Sequence, residues 1–284
     1  MKLKTTTIIL IIAFIIGVSL LLYPSFSNYW NMKHATRVVN EYTSLLQKID
    51  TEKYLDMWTS AVEYNEALLT SESNFALPPE LQARYNHELI LSANGLMGYV
   101  EIPSIGVSLP IYHGTSEGVL QIGVGHIEWS SLPTGGANTH CVLSGHRGLP
   151  SAKLFTDLNK LREGDTFTLN ILNEVMTYEV DQILIVVPND LKELVISEGN
   201  DFCTLVTCTP YGVNTHRMLV RGHRIETDQT DMIRVISEGV VIDPLLVAPV
   251  VGFPFVITLF LMVMLKKPKK KKKVSLLSGK ESGQ

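Results

Sequence analysis

The feature that most constrains this chain is the stretch from Gly98 to Ile225, where short apolar runs recur at close spacing with little helical signal between them. Tyr99–Ile102, Val107–Tyr112, Thr139–Ser144, Thr166–Leu172, Val175–Val187, Cys203–Cys208 and Arg217–Ile225 are the candidate strands. They are rich in the β-branched and aromatic residues that suit a pleated surface. Pro, Gly and Asn punctuate them, and Asn173-Glu174 joins two as a hairpin. Seven or eight short strands so arranged predict a closed antiparallel barrel or a sandwich. A core of ~130 residues buries enough surface to fold without staples.

The flanks read differently. Residues 1–24 hold an apolar run, Ile8–Tyr23, behind Lys2 and Lys4. It is either an uncleaved signal-anchor or a cleaved secretory signal, and both export the domain downstream. Residues 25–94 carry helical spacing: Val38, Val39, Tyr42, Leu45, Leu46 and Ile49 in one helix, then Leu55, Trp58, Val62, Asn65 and Leu69 in a second. Pro78 and Pro79 open a third, running on through Leu81, Tyr85 and Leu89. After the β-rich segment at 95–228 and a linker at 229–244, Leu245–Leu265 gives 21 residues without a charge. That is enough helix to cross about 30 Å of hydrocarbon. The tail, 266–284, begins with Lys266-Lys-Pro-Lys-Lys-Lys-Lys-Lys273, which the positive-inside rule places in the cytoplasm with the β domain outside.

Charge excludes one class of partner. Between Pro24 and Pro244 there are 27 acidic residues against 14 basic ones, so the folded middle lacks the basic surface that nucleic acid requires. No Cys-x-x-Cys, His-Glu-x-x-His, Asp-rich calcium loop or glycine-rich phosphate loop occurs, and no metal or cofactor is expected. A Ser hydrolase lacks its Gly-x-Ser-x-Gly elbow.

The chemistry concentrates in Thr204–Arg224. An apolar run, Thr204-Leu-Val-Thr-Cys208, stops at Thr209-Pro210-Tyr211-Gly212, and a second strand comes after it as Arg217-Met-Leu-Val-Arg221. Cys208 therefore sits at a strand end beside a turn, with a guanidinium close enough to favour a thiolate or a developing oxyanion. His146, in Ser144-Gly-His-Arg-Gly148 just past another strand, is the candidate acid/base. Arg217 and Arg221 lie four apart on a strand and share a face, so spacing barely separates them. Cys141 and Cys203 read as small buried hydrophobes. A bond between those two stays open, whereas Cys203 and Cys208, about 16 Å apart along one strand, cannot bridge. His126 reads as structural, and His216 points away from the face that carries Arg217.

The Cys-Thr-Pro-Tyr-Gly strand end, the Asn-x-His-Arg strand with its Arg nine residues after the Cys, and the upstream His-Arg-Gly together resemble the sortase transpeptidases. Gly123-Val-Gly-His-Ile127, Ser131-Leu-Pro-x-Gly-Gly136 and Leu154-Phe-x-x-Leu158 resemble specifically class C, the pilin-polymerising sortases. The resemblance runs from Gly98 to Arg224 and implies an eight-stranded sortase barrel with Cys208, His146 and Arg217 as its catalytic residues. It further implies pilin partners bearing an LPxTG-like sorting signal, joined to a lysine of the next pilin, in the membrane of a Gram-positive bacterium. Class C members carry a lid, usually Asp-Pro-aromatic, ahead of the barrel. Residues 70–77 have no Asp-Pro, and Phe75 with Glu72 are the candidate lid residues, a plug held chiefly by one ring. Two other readings compete. One is a housekeeping sortase attaching proteins to peptidoglycan, a type that generally has only the N-terminal anchor. The other is a non-catalytic membrane-anchored adhesin or scaffold in which Cys208 merely packs.

Overall fold

The computed structural model of the chain describes residues 5–71, 75–92, 94–227 and 258. The expected linker, the lysine-rich tail, Glu72 and, apart from Thr258, the expected span at 245–265 lie outside the described residues.

Helix α1, Thr5–Leu46, is one element of 42 residues that passes through Pro24 and unites the apolar run with the amphipathic helix expected after it. A proline inside a helix forfeits one backbone hydrogen bond, but the helix continues beyond it. Residues Ile8–Leu46 are long and apolar enough to cross a membrane by length and composition, and the side chains between Ile8 and Tyr23 are largely exposed. Further on, Asn28, Asn31, Ala35, Val38 and Tyr42 recur at three- and four-residue spacing on the docked face. Tyr42 fixes that face: its hydroxyl donates to the Met97 carbonyl at 2.8 Å and accepts from the Leu172 amide at 2.7 Å.

Helix α2, Thr51–Thr70, starts at Asp50, whose carboxylate accepts from the Lys53 amide at 2.7 Å. It buries Ala61, Tyr64, Asn65 and Leu68, while Leu55 and Leu69, expected to face inward, are exposed. The rotation is set by a polar residue. Asn65 donates to the Leu132 carbonyl (3.0 Å) and to Thr134 Oγ1 (2.9 Å), and accepts from the Leu132 amide (2.7 Å). Helix α3, Pro79–Tyr85, stops short of Leu89, which is buried in a left-handed backbone conformation, φ 55°.

The strands are β1 (Leu96–Ile102), β2 (Val107–His113), β3 (Val124–His126), β4 (Thr139–Ser144), β5 (Thr166–Ile171), β6 (Glu174–Val186), β7 (Asp201–Thr209) and β8 (His216–Ile225). They close into a barrel in the order β1-β2-β3-β4-β7-β8-β6-β5. Only β3 is absent from the strands expected from sequence, three residues being too few for a periodic signal. The barrel is not wholly antiparallel: β2 pairs parallel with β3, and β4 with β7. Parallel neighbours need crossovers, supplied here by the segment carrying the short helix α4 (Glu117–Leu120) and by the excursion through β5 and β6. Alternation then sorts each strand. Cys141 and Leu143 of β4, Cys203 and Leu205 of β7, and Met218 and Val220 of β8 join the barrel interior. Val142, Val206 and Leu219 form a second cluster on the outer wall with Leu194, flanked by half-buried Ile127, Trp129, Leu184, Val186 and Leu191.

Candidate active site

Cys208 belongs to the outer-wall set of β7, two residues after Val206, and is half-buried with a free thiol. Directly across the antiparallel ladder stands Arg217 of β8. Its guanidinium donates to the carbonyls of Asn214 (3.3 Å) and His216 (3.1 Å), which hold it at the turn. Arg221 has a different environment. It lies across from Thr204, makes a bidentate pair with Asp181 at 3.0 Å for each bond, and sits over the Phe202 ring at 4.3 Å. The two arginines thus differ in their partners: Arg221 is paired with a carboxylate, and Arg217 stands on the cysteine's rung.

His146 enters from β4, which runs parallel to β7 with Ser144 beside Val206. Past that pair the two chains stay stitched together. The Gly145 amide donates to the Val206 carbonyl (3.0 Å), and Thr207 Oγ1 donates to the Gly145 carbonyl (2.7 Å). His146 lies two residues past Ser144, as Cys208 lies two past Val206, along the continuation of the paired strands. The loop has little freedom. A Cβ at Gly145 would come within 2.6 Å of the Phe155 ring, and the Phe155 amide donates to the His146 carbonyl at 3.1 Å. Gly148, at φ +78°, lies so close to Tyr211 that a Cβ would meet its ring at 2.9 Å. Arg147 Nη1 donates to Thr209 Oγ1 at 3.2 Å. The loops after β4 and β7 therefore form one packed rim.

His126 is buried, hydrogen-bonded to the Tyr85 hydroxyl (3.0 Å) and the Ser131 carbonyl (2.8 Å), as befits a structural residue. Cys141 and Cys203 are neighbours across β4 and β7, both buried and both free thiols. Burial pushes the Cys203 thiol well up, the wrong environment for a nucleophile.

Phe75, with φ 59°, sets its ring edge-on against Trp129 at 5.0 Å. Trp129 flanks the outer-wall cluster, so Phe75 packs at the edge of that wall. Sequence reasoning missed Glu117, whose carboxylate lies 3.6 Å from His146 Nε2. Twenty-nine residues separate the two, and no local pattern links them.

A half-buried thiol on the wall of a closed barrel, opposed by a fixed guanidinium, is the architecture of a cysteine transpeptidase. Comparison with known proteins narrows the class. A family model described as the sortase domain matches residues 100–225. The crystal structure of sortase C1 from Streptococcus agalactiae is 52% identical, with a TM-score of 0.66, covering 68% of this chain and 100% of that one. Sortase C of Streptococcus pneumoniae is 42% identical, with a TM-score of 0.61, over 67% of this chain and 97% of its own. Sortase A of Bacillus anthracis is 26% identical over 226 residues, 80% of this chain and 97% of the relative. The chain belongs to the sortase family of transpeptidases.

Proposed function

We propose that Cys208, His146 and Arg217 are the catalytic residues of a class C sortase that cleaves an LPxTG-like sorting signal and joins pilin subunits. The observation that carries this reading is the Cys208–Arg217 rung with the His146 loop stitched to the same strand end. The Cys208 thiolate attacks the Thr-Gly carbonyl of the signal, and the tetrahedral oxyanion rests on Arg217. As the C–N bond breaks, His146 protonates the departing amine and leaves a thioester on Cys208. A lysine ε-amine of the next pilin then attacks the thioester, gives its proton to His146, and releases the thiolate as an isopeptide bond forms.

The pilin substrate is favoured over peptidoglycan by the neighbours named sortase C, one of which, from S. pneumoniae, was described in terms of pilin substrate specificity. The apolar segments Ile8–Tyr23 and Leu245–Leu265 anchor the chain, with the lysine run at 266–273 on the cytoplasmic side and the barrel outside.

The test is incubation of the full-length protein with an LPxTG-bearing peptide and a lysine-containing acceptor, with the products read by mass spectrometry. Thioester and isopeptide product should form with wild type and vanish in Cys208→Ala. His146→Ala and Arg217→Ala should each slow turnover by about 10²-fold or more. Isopeptide product from Cys208→Ala would sink the assignment.

A further inference from the structure

We propose that Glu117 is a positioning residue for His146, holding the imidazole by one nitrogen while the other works. This rests on the acid/base role given to His146 above. His146 Nε2 is enclosed by protein and has no hydrogen-bond partner, and the nearest acceptor is Glu117 Oε2 at 3.6 Å. The carboxylate does not hang free. Gln121, which caps the end of α4, donates from Nε2 to the other oxygen, Oε1, at 2.5 Å. Gln121 and His146 together hold the Glu117 carboxyl below its ordinary range, as expected of a carboxylate that accepts hydrogen bonds and faces a cation.

The chemistry depends on which nitrogen is held. With Nε2–H directed at a carboxylate, the neutral imidazole keeps its lone pair on Nδ1. That nitrogen takes the proton of the thiol and later hands it to the leaving amine. Glu117 neither gains nor loses a proton; it favours the imidazolium present when Cys208 is a thiolate. On the same rim, Arg147 follows it in the chain and Tyr211 packs on Gly148, while Cys208 and Arg217 share a rung at the end of β7 and the start of β8. Glu117 is the only carboxylate paired with His146 among the described residues. Its side chain is 73% exposed, so the effect is that of a screened, solvent-facing pair and not of a buried relay.

The experiment uses the full-length protein in detergent, comparing wild type, Glu117→Gln, Gln121→Ala, His146→Ala and, as an exposed acid elsewhere, Glu163→Gln. Two profiles are taken from pH 5 to 10: turnover of an LPxTG-bearing peptide, and the rate at which iodoacetamide alkylates Cys208. For Glu117→Gln, kcat should fall about three- to tenfold with little change in KM. The limb on which activity falls as the imidazolium loses its proton should move to lower pH by roughly half a unit or less. In about 1 M NaCl wild type should drift toward the variant, because the pair is screened. Gln121→Ala should show a smaller shift in the same direction, and Glu163→Gln none. If Glu117→Gln keeps the wild-type profile while His146→Ala is inactive, the inference is wrong and the catalytic assignment survives. Lost activity with an unchanged profile would make Glu117 merely structural and equally overturn it. Wild-type turnover by His146→Ala would remove the reading on which the inference stands.

Discussion

Arg217 and Arg221 sit four residues apart on one face of β8, and their fates diverge because of a residue forty positions from Arg221 in sequence. Asp181 accepts from Arg221 through both Nε and Nη2. Arg221→Ala should therefore leave acyl transfer within several-fold of wild type while lowering stability. A charged bidentate pair about a quarter exposed is worth about 1–2 kcal/mol, below the buried value. Equilibrium urea unfolding and peptide turnover would check both halves, and a crippling loss of turnover would reassign the oxyanion role. Two histidines make a pH prediction. Burial holds His113 and His140 below the ordinary histidine range, so both are neutral in the fold. The unfolded chain binds their protons at about pH 6.5. Their contribution is fully present above that pH and is lost as pH falls through the depressed folded values. Half-buried Glu101, raised by desolvation, opposes this trend. The melting temperature should fall between pH 7.5 and pH 5, and His140→Gln should lower the curve but flatten it; a curve no flatter than wild type would contradict the argument. The positions of Cys208 near the end of β7 and of His146 just past β4 were legible from sequence, because turn signals follow both strands. Glu117 was not, since its meaning exists only after two remote loops meet.

Among the elements, α1 and the segment before α3 carry the sharpest expectations. The Tyr42 hydroxyl is both donor and acceptor between α1 and the ends of β1 and β5. Tyr42→Phe leaves a buried amide and a buried carbonyl unpaired, so stability should drop by about 1–3 kcal/mol with turnover per folded molecule unchanged, as denaturant midpoints would report. A drop below ~0.5 kcal/mol would mean that water replaces the hydroxyl. Phe75 is tied by one edge-on ring contact with Trp129, of a kind worth about 0.5–1.5 kcal/mol beyond area burial. Phe75→Ala should therefore change the alkylation rate of Cys208 by less than about tenfold, that energy converted to a rate. A much larger acceleration would make Phe75 a closed plug. The helices were foreseeable from periodicity, but not the facing of α2, where an apolar count gives Asn65 no special weight. Nor was the unity of α1 foreseeable, because Pro24 reads as a boundary in any local rule.

At the scale of the whole molecule, the barrel's closure was expected and its two parallel pairings were not. Hydrophobic alternation says which face a residue takes and is silent on which strand lies next to it. Those pairings bring the ends of β4 and β7 to the same rim. The same rim is fastened to α1: the Asn28 side chain accepts from the Lys153 amide at 2.8 Å, and the Asn31 amide group donates to the Ser151 carbonyl at 2.7 Å. The apolar run on that helix ends at Tyr23, five residues before Asn28, or about 8 Å at the helical rise. With Ile8–Tyr23 in a bilayer, the enzyme is mounted on a post and not on a leash. The contacts of Asn28 and Asn31 then stand roughly one headgroup layer above the hydrocarbon. Substrates that share that bilayer would meet the enzyme by a search in two dimensions.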